Sequence, residues 1–484
     1  MPLSLRIRAT TGLRSKWITT DFSIHYDMSA LQQYINLYNQ NADTICAHSP
    51  QPLNALRQRA LQALSGASLP RKGQEDYEAT DLEAVFAPDY GLNINRVDFS
   101  GNPAETFRCD VPNMSTCMYF VYNDMFHPSS TARLSQSGIV VESFSEAAVN
   151  HPQLLRDYYG TIAPCDKPEV ALNTLLAQDG ILVYIPDNVV AQKPIQIVNV
   201  FNASMPLMAV RRLLVIVGEN AQARLLSCDH TQPNGIKYLS SQVIEIIAKP
   251  NSTFDYYDLE ESSADTSRVS SLYVNQQQGS NVLVDGITLL NGYTRNNYRF
   301  DVNGSHAETH LLGMTIAGGT QHVDNHTFIA HNAPSCKSNE MFKYVLNDNA
   351  IGAFSGKILV QPDCPKIDAY QGNRNLCASP TAKMYTKPQL EIYTDDVQCS
   401  HGATVGQLDQ EALFYMRTRG ISEPVAQNLL MQAFMSDVID AVRLDVLKDR
   451  LHHLVEKRFQ GSLASCNACH SEHGCNSTLN NKTI

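Results

Sequence analysis

Apolar positions along the chain repeat with two different periods, and the switches between them divide it into three regions. From Met28 to Gly160 they recur at helical spacing, as in Leu31, Tyr34, Ile35 and Tyr38, and again in Leu53, Leu56 and Leu61. This predicts a helical N-terminal domain over 28–160, interrupted between Pro88 and Pro112 by a turn-rich stretch without a clear period. From Gly180 to Gly406 short runs of Val, Ile, Leu and Tyr follow one another: Ile181 to Ile185, Ile195 to Val200, Leu213 to Val217, Val243 to Ile247 and Val282 to Leu290. Gly218-Glu219-Asn220, Asn291-Gly292 and Val302-Asn303-Gly304 punctuate them, and no amphipathic helix of about ten residues intervenes. Short strands at such intervals indicate a sandwich, barrel or solenoid. The span is long for a sandwich, which favours a mainly β protein with a parallel β-helix core over 161–406. Its coils stack apolar side chains inside and leave two open ends.

Helices return after Gly406. Asp409 is a good N-cap for Gln410 to Arg419, and Gly420 sits where that helix should stop. Ser422 caps the next, with Glu423 and Pro424 in its first turn. Val425, Leu429, Phe434, Val438 and Val442 follow a helical stripe that Leu447, Leu451, Leu454 and Val455 continue to Phe459. This predicts a C-terminal helical domain over 407–460. Its apolar face either packs on the β core or binds a partner.

Composition narrows the function classes. Of 484 residues, 43% are hydrophobic and 18% charged, which suits a globular chain and not a disordered one. A net charge of -11 and a pI near 5.7 argue against a nucleic-acid partner. No apolar run approaches the roughly 18 residues needed to cross a bilayer. Twelve cysteines without a secretory signal pattern point to reduced thiols and a cytoplasmic protein. Residues 1–27 stand apart: the first twenty are free of acids and carry Arg6, Arg8, Arg14 and Lys16. They read either as a non-native or flexible extension ahead of a true start at Met28, or as an organelle transit peptide.

Several clusters carry candidate chemistry. Gly352-Ala353-Phe354-Ser355-Gly356-Lys357-Ile358 has the look of a phosphate loop, but the glycine spacing is one short and Ile358 replaces the magnesium-binding hydroxyl. Its glycines are expected at strand turns. His322, Asp324 and His326 share one face of an extended strand, with His331 beyond; they form either a metal site or a hydrogen-bonded polar ladder. Asp395 and Asp396 are adjacent, so on a strand they point apart and do not make the carboxylate pair of a sugar-cleaving enzyme. The only tryptophan, Trp17, lies outside the expected fold, which removes a sugar-stacking platform. Cys399 and His401, two apart, face the same way and are good ligands for iron or zinc; a buried structural pair is the plainer reading. Cys336, Cys364 and Cys377 are read as core residues. The tail over 461–484 holds Cys466, Cys469, His470, His473 and Cys475, either a zinc or iron–sulfur site or a solvated tail.

A longer pattern surrounds Cys399 and His401. Lys387-Pro388-Gln389-Leu390-Glu391-Ile392, then Asp395 to Gly406, then Leu413-Phe414-Tyr415-Met416-Arg417-Thr418-Arg419-Gly420-Ile421 resemble the signature of the SufB/SufD family. Gln321 to His326, Gly356-Lys357-Ile358, Gln371 to Leu376 and, near the front, Pro70, Glu75, Tyr77 and Thr80-Asp81-Leu82 extend the likeness over Met28 to Phe459. Ser400-His401-Gly402-Ala403-Thr404 resembles the SufD branch. Residues before Met28 and the Cys466–Cys475 tail have no counterpart in the pattern.

The resemblance implies a right-handed parallel β-helix flanked by helical domains. It implies a non-catalytic scaffold for iron–sulfur cluster assembly, with no firmly bound cofactor and a transient iron–sulfur cluster at the interface with a SufB-like subunit. His401, with Cys399 beside it, is the residue implied there. A SufC-like ATPase is implied to dock on the C-terminal helices, at Asp409, Leu413, Phe414, Tyr415, Arg417 and Arg419. Two alternatives stay open: a SufB-like cluster carrier acting as a homodimer, and a β-helical polysaccharide enzyme.

Overall fold

Apolar side chains on both faces of the strands between Ile181 and Gly406 force the chain to wind, because each strand then needs neighbours inside and a cover outside. The computed structural model describes residues 28–97, 116–127, 138–231 and 234–461. Within it, sixteen strands from β4 (Ile181–Ile185) to β19 (Val397–Gly406) alternate between two sheets. Even-numbered strands form one and odd-numbered strands the other, so each coil contributes one strand to each sheet. Neighbours are parallel throughout, giving a solenoid of eight two-stranded coils.

Register carries one inner apolar row from coil to coil. Val215 lies beside Ile246, then Val274, Phe300, Ile329, Ile358 and Leu390. The corners also stack. Asn188, Asn220 and Asn251 take left-handed backbone angles, and each side-chain amide bonds the carbonyl of the one before it, at 3.0 and 3.1 Å. Asparagine tolerates that region better than most residues, so a ladder of asparagines suits this corner.

The region expected to hold helices and loops supplies strands as well. β1 (Cys117–Tyr122) runs parallel to β5 (Ile195–Phe201) and is covered by antiparallel β2 (Met125–His127). β3 (Val140–Ser143) pairs antiparallel with β4. These strands extend and close the first end of the solenoid. Conversely, a helix, α6 (Pro168–Leu176), falls inside the span expected to be β core, and all its residues from Glu169 onward are buried.

Two helical layers cover the outer faces. On the even-numbered sheet lie α1 (Ala30–Ala47), α2 (Gln51–Leu64), α3 (Leu82–Phe86), α4 (Phe144–Asn150), α5 (Pro152–Tyr158) and α6, packed against Met208, Leu214, Ile216 and Leu239. On the odd-numbered sheet lie α8 (Glu423–Asp440) and α9 (Asp445–Phe459), against Leu259, Leu283, Ile287, Leu312 and Met314. The short α7 (Gln410–Thr418) precedes them; Asp409 caps it by accepting from the Glu411 and Ala412 amides, and Gly420 follows it at a φ of 86°. Ser422 sits at the N-cap of α8 without a side-chain bond.

A polar clasp seats the N-terminal layer. Thr80 bonds both His322 (3.1 Å) and Asp324. The Arg295 guanidinium reaches Asp324 (2.6 Å) and the Asp76 carbonyl (2.9 Å), and lies over the Tyr77 ring. His322 stacks on Tyr293 with centroids 4.2 Å apart, and burial pushes its imidazole down to about 4, so it is neutral at pH 7. At the rim His326 meets Asp76 at 3.3 Å; that hydrogen bond holds the Asp76 carboxyl down near 2. His322, Asp324 and His326 do share a face, as their spacing predicts, and they form the polar ladder of the two readings.

Two stability outcomes follow from this packing. Gly304 leaves no room for a side chain, since a Cβ there would lie 1.9 Å from the Gln278 amide nitrogen. Gly304→Ala should therefore cost on the order of 1–3 kcal/mol, read as a lower denaturant midpoint. Asp324→Ala strands a solvent-shielded guanidinium and should cost about 3–5 kcal/mol in the same measurement. Asp324→Asn keeps an acceptor for Thr80 and should cost less.

Candidate functional site at the open end

The solenoid's two ends differ. β1 to β3 cover the first, whereas β18 (Lys383–Ile392) and β19 each have a sheet neighbour on one side only among the described residues. β19 pairs with β17 (Ile367–Cys377) in a register that sets Cys399 beside Ala369, His401 beside Gln371 and Ala403 beside Asn373. Ala369 and Gln371 belong to the inner face, so the backbone places Cys399 and His401 on that face at its last layer. Cys399 is half-buried against the apolar interior, and burial pushes its thiol up. His401 is exposed.

Beneath this layer the interior turns polar. The Gln371 amide donates to Glu340 at 2.8 Å, and both residues are fully buried. Burial pushes the Glu340 carboxyl up to about 7. Asn375 donates to Asn373 at 2.6 Å and to the Thr404 carbonyl at 2.9 Å, and Thr386 donates to Asn373 at 2.8 Å. Asn375 thus ties β19, and Thr386 ties β18, to the coil below. Gln371, Asn373 and Asn375 stand within the Gln371–Leu376 run already singled out, but nothing in the sequence pairs them with Glu340; only register does.

The other candidates separate by place. Gly352 and Gly356 are not at turns, as expected, but inside β16 (Ile351–Val360), where Gly356 makes room for Gln371; a Cβ would come within 2.5 Å of its amide nitrogen. The phosphate-loop likeness therefore falls on a buried strand. Asp395 and Asp396 lie in the bend before β19 and are exposed. His331 points inward and contacts Ser338 at 2.9 Å. Cys336 and Cys364 are buried and Cys377 is half-buried. Among the described residues no group of three or more His, Cys, Asp or Glu side chains is placed to hold a metal ion. Cys466, Cys469, His470, His473 and Cys475 lie outside the described residues, as does Trp17.

A second surface lies on α7. Leu413 is 5% exposed and anchors the helix, while Phe414 and Tyr415 are 67% and 58% exposed. Arg419 lies over the Tyr415 ring and bonds its hydroxyl at 3.0 Å; Arg417 pairs with Glu423 at 3.2 Å. Two large apolar side chains held outward beside organised cations make a surface suited to a protein partner.

Family models match both parts of the chain. "SufBD protein N-terminal region" covers residues 28–197, and "SUF system FeS cluster assembly, SufBD core domain" covers residues 199–434. An iron-sulfur cluster assembly SufBD family protein of Synechocystis is 30% identical over 411 residues, 83% of this chain and 90% of the relative. The iron-sulfur cluster assembly protein SufD of Escherichia coli is 35% identical over 167 residues, 34% of this chain and 40% of that protein. Protein ABCI7, chloroplastic, of Arabidopsis thaliana is 24% identical over 454 residues, 90% of this chain and 93% of the relative. Taken with a parallel solenoid whose last strand carries the Cys399–His401 run, these matches place the chain in the SufBD family of iron–sulfur cluster assembly proteins.

Proposed function

We propose that this chain is a SufD-type scaffold subunit, not an enzyme, which pairs with a SufB-like subunit across its open end and carries a SufC-like ATPase on its C-terminal helices. The observation that carries the reading is the exposed His401, with Cys399 beside it, on a last strand that has no neighbour on its outer edge among the described residues. One imidazole and one thiol are too few to hold an iron–sulfur cluster, which needs about four ligands. The remaining ligands would come from the subunit that covers this end, so the cluster is cargo shared across a seam. Soft thiolate and imidazole donors suit that task and call for no catalytic base. The ATPase would dock on Phe414 and Tyr415, with Arg417 and Arg419 beside them, and its motion would open the seam.

A SufB-like carrier acting as a homodimer is the second reading; a stable brown chromophore after anaerobic reconstitution of the chain alone would favour it. Nothing in the site favours a polysaccharide enzyme. The proposed compartment is the cytoplasm, and the chloroplastic relative makes a plastid the other place to look.

His401→Ala should leave the complex with its partners intact on a sizing column. Cluster yield in the same complex should fall by about tenfold or more, the loss of at least ~1.4 kcal/mol of binding. An undiminished yield would refute the ligand role.

A further inference from the structure

The seam between the odd-numbered sheet and the C-terminal helices contains a group that does not belong in an apolar contact. β11 (Asn281–Leu290) turns Leu283, Ile287 and Leu289 outward, toward Val438, Val442, Leu447 and Leu451 of α8, α9 and the turn between them. Asp285 shares that outward face. It is fully buried, its register neighbours are Tyr257 and Leu312 of the same apolar layer, and neither carboxylate oxygen has a hydrogen-bond partner among the described residues. Burial alone pushes its carboxyl up to about 7. A buried carboxylate without a partner is among the least favourable groups a contact surface can hold.

The polar anchors of the helical pair surround Asp285 without bonding it. Lys343 donates to the Phe434 carbonyl (2.7 Å) and to Asp437 (2.6 Å). Arg443 bonds Asp255 and Asn281, its amide donates to the Tyr257 hydroxyl, and Arg458 donates to Gln321 at 2.7 Å. Water replaces each of these bonds if the helices lift, so they hold the pair in place only weakly against opening. Asp285 changes in the opposite sense, since its carboxylate is hydrated only in the lifted state.

We infer that Asp285 is a built-in release point that lets α8 and α9 come off the sheet as one unit while the solenoid stays folded. This goes beyond the scaffold role and does not depend on it. The sign of the pH effect follows from the direction of the shift. The lifted state loses its proton near the ordinary carboxylate value of 3.8 and the docked state near 7. Docking is thus strongest below about 4, weakens as pH rises to about 7 and is level above that.

Other groups that titrate around this seam are few. Tyr257 flanks Asp285 on β9 (Thr253–Glu261), and its hydroxyl is raised by burial far above this range. Tyr298 lies behind it against Gly286 and is likewise raised. His310, on β13 (Glu308–Ala317), is held below its usual value by burial and then by Arg443, so its effect has the opposite sign. Asp255 of β9, which bonds Arg443, is raised by burial and acts in the same sense as Asp285. From α8 and α9 the facing residues are otherwise apolar except at the margin, where Arg458 bonds Gln321 and the Lys343 hydrogen bond holds the Asp437 carboxyl down, an effect of the opposite sign.

Hydrogen exchange of the full-length chain between pH 5 and pH 8, corrected for intrinsic rates, tests this. In the wild-type chain, protection of α8 and α9 should fall from pH 5 to pH 7 and then level. In Asp285→Asn the fall should be smaller, what remains coming from Asp255 and His310, and at pH 8 protection should be at least about tenfold higher than wild type, the value of one unit of pKa difference. Helices α1 and α2 should be unchanged in both. Equal protection of the two chains at pH 8, or a change in α1 and α2 as large as that in α8 and α9, would overturn the inference. Should the asparagine variant misfold, Asp285→Ala replaces it, and a pH-independent protection of α8 and α9 in the wild-type chain alone suffices to reject it.

Discussion

Parallel stacking in exact register is the constraint on which the rest of this molecule depends. Each backbone ladder fixes which side chain lies beside which in the next coil, about 4.8 Å away. An apolar position therefore propagates as an apolar row, and a polar one must find its partner in the coil above or below. The interior shows both outcomes. One half holds the row from Val215 to Leu390. The other half holds Arg211 against Asp229 at 3.0 Å, Arg268 between Asp229 and Asp258, and Glu260 bonded to Thr294. Asp229 lies directly beside Glu260 in the ladder and the two carboxylates repel, so Arg211 and Arg268 are needed to hold this acidic half together. Removing either arginine would leave buried like charges uncompensated.

The two helical covers are attached by different physics. The N-terminal layer is keyed to the sheet by directional contacts: Thr80 between His322 and Asp324, and Arg295 between Asp324 and Tyr77. Each loses its geometry if the layer shifts, so this cover is set in one position. The C-terminal pair rests on a broad apolar face with anchors at its margins and Asp285 within it. Apolar contact is tolerant of sliding and the carboxylate opposes closure. The proposed lifting of α8 and α9 from a solenoid that stays folded draws on this difference between the two sides.

Much of this was legible in the sequence, and the exceptions have physical causes. Ile181 to Ile185 is found as a strand with those bounds, and Asp409 caps the helix it was expected to cap. β1 escaped because Cys117 to Tyr122 is a single short apolar run that finds its partner, β5, far along the chain. α6 escaped because nine residues give too few turns for a period to stand out, and its polar residues Glu169, Asn173 and Thr174 are buried with the apolar ones. Cys399 and His401 share a face by spacing alone, but that the face is the inner one depends on pairing with Ala369 and Gln371. Asp285 sits inside a run, Val282 to Leu290, whose apolar character made a strand evident and hid the one residue out of place.

The open end has its own asymmetry, and it bears on how a second chain would cover it. An exposed strand edge invites pairing, and proteins blunt it with lysine, proline or acid. β18 carries Lys383, Lys387, Pro388 and Glu391, and proline offers no amide to a neighbour. β19 reads Val-Gln-Cys-Ser-His-Gly-Ala-Thr-Val-Gly, without a charged residue or a proline, and all but Val397 and Cys399 are exposed. One edge is therefore guarded and the other is not. A partner strand meeting the unguarded edge would run directly past Cys399 and His401, so the proposed pairing with a second subunit and the chemistry proposed at that junction would both use this one bare strand.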